Sequence, residues 1–330
     1  MQSDNNANDD NHILLPLVDK NEENVVFPLV LNVLTKFWGE DVPYSEIQKR
    51  SVNYNNFKGT VFIEGLELLD KLNLSYISYK SSISDLKKKI KQGFPMIVVL
   101  PGIGDIIQFA TIVCGYDDKE DRIITYIPEP DSYGAIPVNK FIDEWSQDDY
   151  FSILVFPKDM YNIFKNESFE FSNSNKLYLE TERLNLQGKI QESIDLLRSI
   201  IDKSLSNGNK DNAKSNPQIL YLLAGILNEK NDEECISLYE RVIKLNPKFY
   251  LAYRGLGNYY LKNKNYLLSK ENYTKAIEIN PQRYGSIYKN LGIVLLELGD
   301  NAGARAYFKT YLRFIPNAKD KDNILQFLNS

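Results

Sequence analysis

The sequence predicts an α+β domain over residues 12–160 followed by an all-α helical solenoid. Three observations carry that prediction. In the second half, Asn246-Pro247, Asn280-Pro281 and Ile315-Pro316 set prolines 34 and then 35 residues apart, the sign of a repeated supersecondary unit. The first half runs helical patterns first and short β-branched strands afterwards, the order of an α+β fold. Charge divides with the pattern. Residues 1–165 hold 16 Lys and Arg against 25 Asp and Glu, a net charge of −9; residues 166–330 hold 23 against 19, a net charge of +4. Two electrostatically different halves support two domains.

The elements of the first half follow in order. A polar tail, 1–11, reads as disordered. Pro28 opens the helical stretch PLVLNVLTKFWG, which Gly39 ends. PYSEIQKR and TVFIEGLELLDKL read as two more helices, the second capped by Thr60. NLSYISY is a strand, and SDLKKKIKQG is a helix capped by Ser84 and stopped by Gly93. MIVVL, IIQFATIVCGY, DRIITYI and YFSILVF read as strands, with a short helix, VNKFIDEW, before the last. Residues 161–175 include a Ser- and Asn-rich stretch and read as a linker.

Residues 176–316 divide into about four helix pairs, and 317–330 reads as a capping helix. In the unit ending at Pro281, Tyr253, Leu256, Gly257 and Tyr260 recur on a first helix, and Ser269, Tyr273 and Ala276 on a second. The unit ending at Pro316 repeats this with Tyr288, Leu291 and Gly292, then Ala304, Phe308 and Tyr311. Each second helix has a small residue where the helices cross: Cys235, Ser269 and Ala304. Gly257 and Gly292 lie inside helices, where glycine costs about 1 kcal/mol against alanine, so a close helix–helix approach is expected there. A fourth, degenerate unit has Gly188 at its turn and Ser193 at the small position. One helix pair cannot bury its apolar face alone, so the units must stack.

Composition removes much of enzymology. The 330 residues include two cysteines and one histidine. Cys114, Cys235 and His12 are too few and too far apart for a Cys/His zinc site, so no metal or cofactor is expected. Cys114 and Cys235 read as buried core thiols. His12 reads as a solvated tail residue and a poor base. No apolar run reaches the roughly 18 residues a membrane span needs. The N-terminus lacks a secretory pattern, so a cytoplasmic location is expected. A net charge of −5 argues against a nucleic-acid partner. The run KKKIK (87–91) reads as a solvated helix face, and DDKED (117–121) as a hairpin turn without calcium-loop spacing.

The residue set of the second half resembles the tetratricopeptide repeat. The resemblance implies a concave face formed by first helices, with a groove for a peptide or protein partner. Its outward positions here are Arg254, Asn258 and Lys262 in one unit and Lys289, Asn290 and Ile293 in the next. Arg254, Asn258 and Asn290 match three of the five residues with which chaperone-binding members clamp a C-terminal carboxylate.

The first half also has a recognisable order. Phe37-Trp38-Gly39 ends a helix, Gly93-Phe94-Pro95 precedes an apolar strand, and Gly115-Tyr116-Asp117 ends the next. Glu129-Pro130 follows, then Phe141 and Trp145. Over residues 12–157 this resembles the papain-like, C39-type cysteine peptidases that cut double-glycine leaders. The resemblance places the nucleophile at Val26, the oxyanion-hole donor at Lys20, the base at Phe109 and the orienting carboxylate at Glu129. Valine and phenylalanine cannot supply thiolate attack and proton shuttling, and no second histidine exists. The implied domain is a pseudo-peptidase. The cleft is expected either to be filled or to remain an apolar groove. The expected function is non-enzymatic binding of a peptide or protein. The alternatives are an enzyme with an unrecognised nucleophile and an assembly factor whose repeats dock on the first domain.

Overall fold

A computed structural model describes residues 11–18, 26–40, 42–51, 66, 68–69, 71–101, 108–127, 133–203, 215–281 and 285–329. Thr60, the Gly-rich stretch 102–105, Lys20 and Glu129 lie outside them.

The apolar run of the first helix, α1 (Val26–Phe37), packs on one face of a six-stranded sheet; α2 (Tyr44–Ser51) follows it. The strands are β1 (Leu74–Lys80), β2 (Met96–Pro101), β3 (Gln108–Asp117), β4 (Arg122–Tyr126), β5 (Tyr133–Pro137) and β6 (Phe151–Pro157). Their order is β1-β6-β2-β3-β4-β5, and every neighbouring pair is antiparallel. Strand alternation sorts the side chains. Ile97, Val99, Ala110, Ile112 and Cys114 face α1. Val98, Leu100, Val113 and Ile123 face the opposite layer, made by α3 (Ile83–Lys91) and α4 (Val138–Trp145).

The structure corrects several sequence expectations. The cap of α3 is Ser82, not Ser84. Ser82 is extended (φ −146°, ψ 163°) and its side chain accepts from the Asp85 N–H, whereas Ser84 already lies in the first turn. Strand β5, YGAIP, was not expected, because glycine, alanine and proline give little strand signal. The linker reading of 161–175 fails in physical terms. A short helix, α5 (Tyr161–Phe164), follows β6; Phe164 and Phe171 are buried, and the Lys80 N–H donates to Glu170 O. Lys89 of the expected solvated face is fully buried. Its ammonium lies between the rings of Phe164 and Phe169 and bonds to Glu167. His12 is not a solvated tail residue either. Ile13 N–H donates to Cys114 O, Tyr116 N–H donates to Asn11 O, and the imidazole packs edge-on against Tyr133. The turn at 117–121 matches expectation, with Asp117 Oδ1 accepting from the N–H groups of Lys119 and Glu120.

The second half is a stack of antiparallel helix pairs: α6 (Ser172–Leu186) with α7 (Ile190–Lys203), α8 (Pro217–Glu229) with α9 (Glu234–Leu245), α10 (Tyr250–Lys262) with α11 (Tyr266–Ile279), and α12 (Gly285–Glu297) with α13 (Asn301–Phe314). Helix α14 (Lys321–Asn329) covers the end. Cys235, Ser269 and Ala304 are fully buried at the crossings. A methyl on Gly257 would lie 2.7 Å from the Tyr273 ring, and one on Gly292 would lie 2.8 Å from Phe308. That approach compensates for glycine inside a helix. The degenerate pair shares the geometry of the regular ones. Ser193 Oγ donates to Thr181 O as Ser269 Oγ donates to Gly257 O, each at 2.9 Å and 12 residues back.

Candidate functional site

Of the implied peptidase positions, Val26 and Phe109 lie among the described residues. Val26 is the first residue of α1. Phe109 pairs with Leu100 and packs on the opposite side of the sheet from α1, in the layer of α3 and α4. On β3 the α1 side is taken by Gln108, Ala110 and Ile112 instead, because a one-residue step in a strand reverses the face. Phe109, which the resemblance sets in the old cleft, thus packs against the layer of α3 and α4. Cys114 is fully buried, and desolvation pushes its thiol up to about 12. At neutral pH it is a neutral core group without nucleophilic character.

On the repeats, α10 carries Arg254, Asn258 and Lys262 on successive turns, and α12 carries Lys289, Asn290 and Ile293. The structure brings two of them into one network. Asn258 Oδ1 accepts from the Tyr273 hydroxyl at 2.7 Å and from Asn290 Nδ2 at 3.3 Å, and Asn290 Nδ2 also donates to the Tyr273 oxygen at 3.1 Å. These amides hold α10, α11 and α12 in register. Lys262 Nζ donates to Asn228 O at 3.0 Å, and Asn228 Nδ2 donates to Gly255 O at 2.9 Å. Asn228 was missed in the sequence, although it stands one 34-residue period before Lys262. Lys289 reaches Asp320 near the end cap at 2.5 Å and lies over the Tyr311 ring. Arg254 and Ile293 are half-buried on the same two helices.

A second polar constellation joins the halves. The tight turn Ser146–Asp148 after α4 meets the N-terminal end of α8 and the loop after α9. Asp148 accepts from Gln108 Nε2 through its carboxylate and from Gln218 Nε2 through its carbonyl, the latter at 3.0 Å. Asn246 Nδ2 donates to Ser146 O at 2.7 Å, and Lys248 pairs with Asp143 at 2.7 Å. Val99, Phe151 and Tyr178 close a cavity of about 10 Å³ around the Asp148 carboxylate. Desolvation pushes Asp148 up to about 7 and Glu182, beside Tyr178, up to about 8. Asp149 rises to about 6, burial outweighing its ion pair with Lys80. No sequence motif marked these carboxylates, since their environment comes from distant segments: Gln108 and Gln218 stand 40 and 70 residues from Asp148.

Residues 252–283 match the family model for the tetratricopeptide repeat. The chain is 31% identical over 140 residues to the BBSome complex member BBS4 of Xenopus tropicalis, covering 42% of this chain and 25% of that protein. It is 32% identical over 89 residues to anaphase-promoting complex subunit 3 of Schizosaccharomyces pombe, covering 27% and 13%. The chain thus spans a quarter or less of these curated relatives. Among solved structures, MamA from Desulfovibrio magneticus RS-1 overlaps 48% of this chain and 85% of its own, at 20% identity and a TM-score of 0.41. A double-glycine motif protease bound to its leader peptide overlaps 44% and 94%, at 13% identity and a TM-score of 0.34. No helix among the described residues is long and apolar enough to cross a membrane. The helical half is a stack of helix pairs that contains the matched unit 252–283, and the first half is a helix-flanked antiparallel sheet.

Proposed function

We propose that this protein is a non-enzymatic, cytoplasmic interaction module. Its repeats bind a peptide or protein segment, and a pseudo-peptidase domain supports them. The observation that carries this reading is the Asn258–Tyr273–Asn290 network. It holds two first helices side by side, so that Arg254, Lys262, Lys289 and Ile293 form one pre-ordered row of cationic and apolar groups. Pre-ordering lowers the entropy lost when a partner docks. Arg254, a charged donor on that row, has the chemistry to meet a partner's carboxylate. The relatives point the same way: two are named as members or subunits of multiprotein complexes. The papain-like reading of the first half rests on its element order and on a helix packed against an antiparallel sheet.

The assembly-factor reading has its own support in the buried contacts of Asp148, Gln218 and Asn246 between the halves. It is compatible with a ligand groove farther along the stack. The test is a pull-down from native lysate with the full chain and with its Arg254→Ala, Asn258→Ala variant. Loss of specific partners in the variant supports the groove; equal recovery by both proteins rules it out. An enzyme with an unrecognised nucleophile would show turnover on an amide or peptide library that a single substitution abolishes.

A further inference from the structure

We infer that the turn 146–150 is a proton-operated latch: while Asp148 keeps its proton the turn is seated on the repeats, and loss of that proton swings it away with both halves still folded. The inference concerns the joint and does not depend on the repeat groove.

Three features of the turn carry it. The first is its seat. The turn meets the repeats through neutral amides, Gln218 Nε2 to Asp148 O at 3.0 Å and Asn246 Nδ2 to Ser146 O at 2.7 Å. The second is strain. Asp149 and Tyr150 follow one another in the left-handed region, at φ 54° and 57°, which L-residues avoid and a bulky side chain avoids most. Tyr150 N–H donates to Trp145 O, Ser81 N–H donates to Tyr150 O, and Lys80 pairs with Asp149. Such backbone persists only where the surroundings over-determine it, and it collects at switch regions.

The third is the carboxyl. Asp148 has no exposed surface; one oxygen accepts from Gln108 and the other has no partner. The groups that face it supply no positive charge. Gln108 of β3 and Gln218 of α8 are neutral, and Val99 and Phe151 are apolar. Tyr178 of α6 stays a neutral phenol, bonded to the buried carboxyl of Glu182. Asp149 adds a like charge, and Lys80 of β1 is engaged with Asp149, near Glu170. A carboxylate sealed there without a cation is strongly disfavoured, so the seated turn requires the neutral acid. The sign follows. Burial pushes Asp148 up to about 7 in the seated turn, while a hydrated aspartate titrates near 3.9. Between those values each unit rise in pH favours the open turn about tenfold.

The test is hydrogen exchange of the full chain, read by mass spectrometry at several pH values, with and without low urea, and corrected for the intrinsic rate at each pH. The expected result is that residues 146–150 exchange at least about tenfold faster at pH 8 than at pH 5. That exchange should respond little to urea, the mark of a local opening, whereas strand β3 stays better protected and does respond. Asp148→Asn keeps the shape without the charge and should remove the pH effect. Gln218→Ala cuts a tie on the repeat side and should speed exchange of the turn at pH 5 as well. Should either variant fail to fold, the unaltered chain decides: its exchange should rise to about pH 7 and then level off. No acceleration, an acceleration that Asp148→Asn retains, one that still rises at pH 9, or a folded Gln218→Ala chain that exchanges as before overturns the inference. An equal urea response of the turn and β3 also overturns it, since the whole chain would then be unfolding.

Discussion

Ser269 in the repeats bonds to Gly257, 12 residues away; Trp38 in the sheet half donates its indole N–H to Val155 O, 117 residues away. The repeats close their core through near neighbours that recur every 34 or 35 residues, so one unit's solution serves the next. The sheet half closes its core through strands that meet only after most of the domain has been made, since β1 pairs with β6. Local closure loses less loop entropy than distant closure. The comparison explains why the repeats tolerate glycine and small residues in helices, while the sheet half depends on unique aromatic contacts. It also shows where both logics stop. The joint between the halves is not periodic, and beside apolar contacts such as Phe151 against Tyr178 it buries carboxylates.

The largest expected effect tests the repeat logic. Tyr273 is fully buried, fills the notch over Gly257 and joins the Asn258–Asn290 network. Tyr273→Ala should cost about 3–5 kcal/mol, measured by urea unfolding. Trp145, equally buried among Phe141 and Tyr150, gives the matching Trp145→Ala loss in the sheet half. If each substitution shifts only part of the transition, the halves unfold separately despite their joint.

The joint itself is sharpened by pH. In the folded chain burial pushes Asp148 up to about 7, while an unfolded aspartate titrates near 3.9. Between those values the folded state keeps a proton that the unfolded state has lost, so stability falls as pH rises from about 4 to about 7. Asp148→Asn keeps the shape and the Gln108 contact without a charge. It should raise stability by about 1–3 kcal/mol at pH 8 and change little at pH 4. Urea midpoints at the two pH values decide it, and an equal effect at both would show that the buried carboxyl does not titrate in this window.

Smaller effects separate the degenerate unit from the regular ones. Ser193→Ala and Ser269→Ala each remove one buried hydroxyl bond and should each cost about 1 kcal/mol. A negligible value at Ser193 beside a normal one at Ser269 would mean that the first pair is held by the sheet half and not by repeat packing. Smallest is the exposed Lys248–Asp143 pair across the joint. Lys248→Ala should change thermal stability by no more than about 0.5 kcal/mol, so a larger loss would make surface charge the main tie between the halves.

Much of the repeat half was legible in the sequence. Prolines at a fixed period, Gly257 before Tyr273 and Gly292 before Phe308 encode contacts between residues about 16 positions apart, and helical spacing shows such contacts directly. The degenerate unit was found by Gly188 and Ser193, though the start of its first helix at Ser172 was hidden by polar side chains. In the sheet half the element order was mostly legible, but the face of Phe109 was not. Strand period is two, so an alignment uncertain by one residue reverses every side chain. Lys89, His12 and the segment 161–175 were misread for one reason. Each is polar in sequence, and its burial depends on partners brought from far along the chain: Phe164 and Phe169 for Lys89, Tyr133 and Gly115 for His12, and Lys80 for Glu170.

Sequence alone determined the repeat period, the small residues at the helix crossings and the scarcity of Cys and His. Those properties belong to composition and short-range spacing. Tertiary structure alone decided that the amides of Asn258 and Asn290 face each other, that Asp148 is sealed between the halves, and that Lys89 is buried beside Phe164 and Phe169. Each of these depends on which distant backbone lies beside a given side chain, and local spacing carries no record of that.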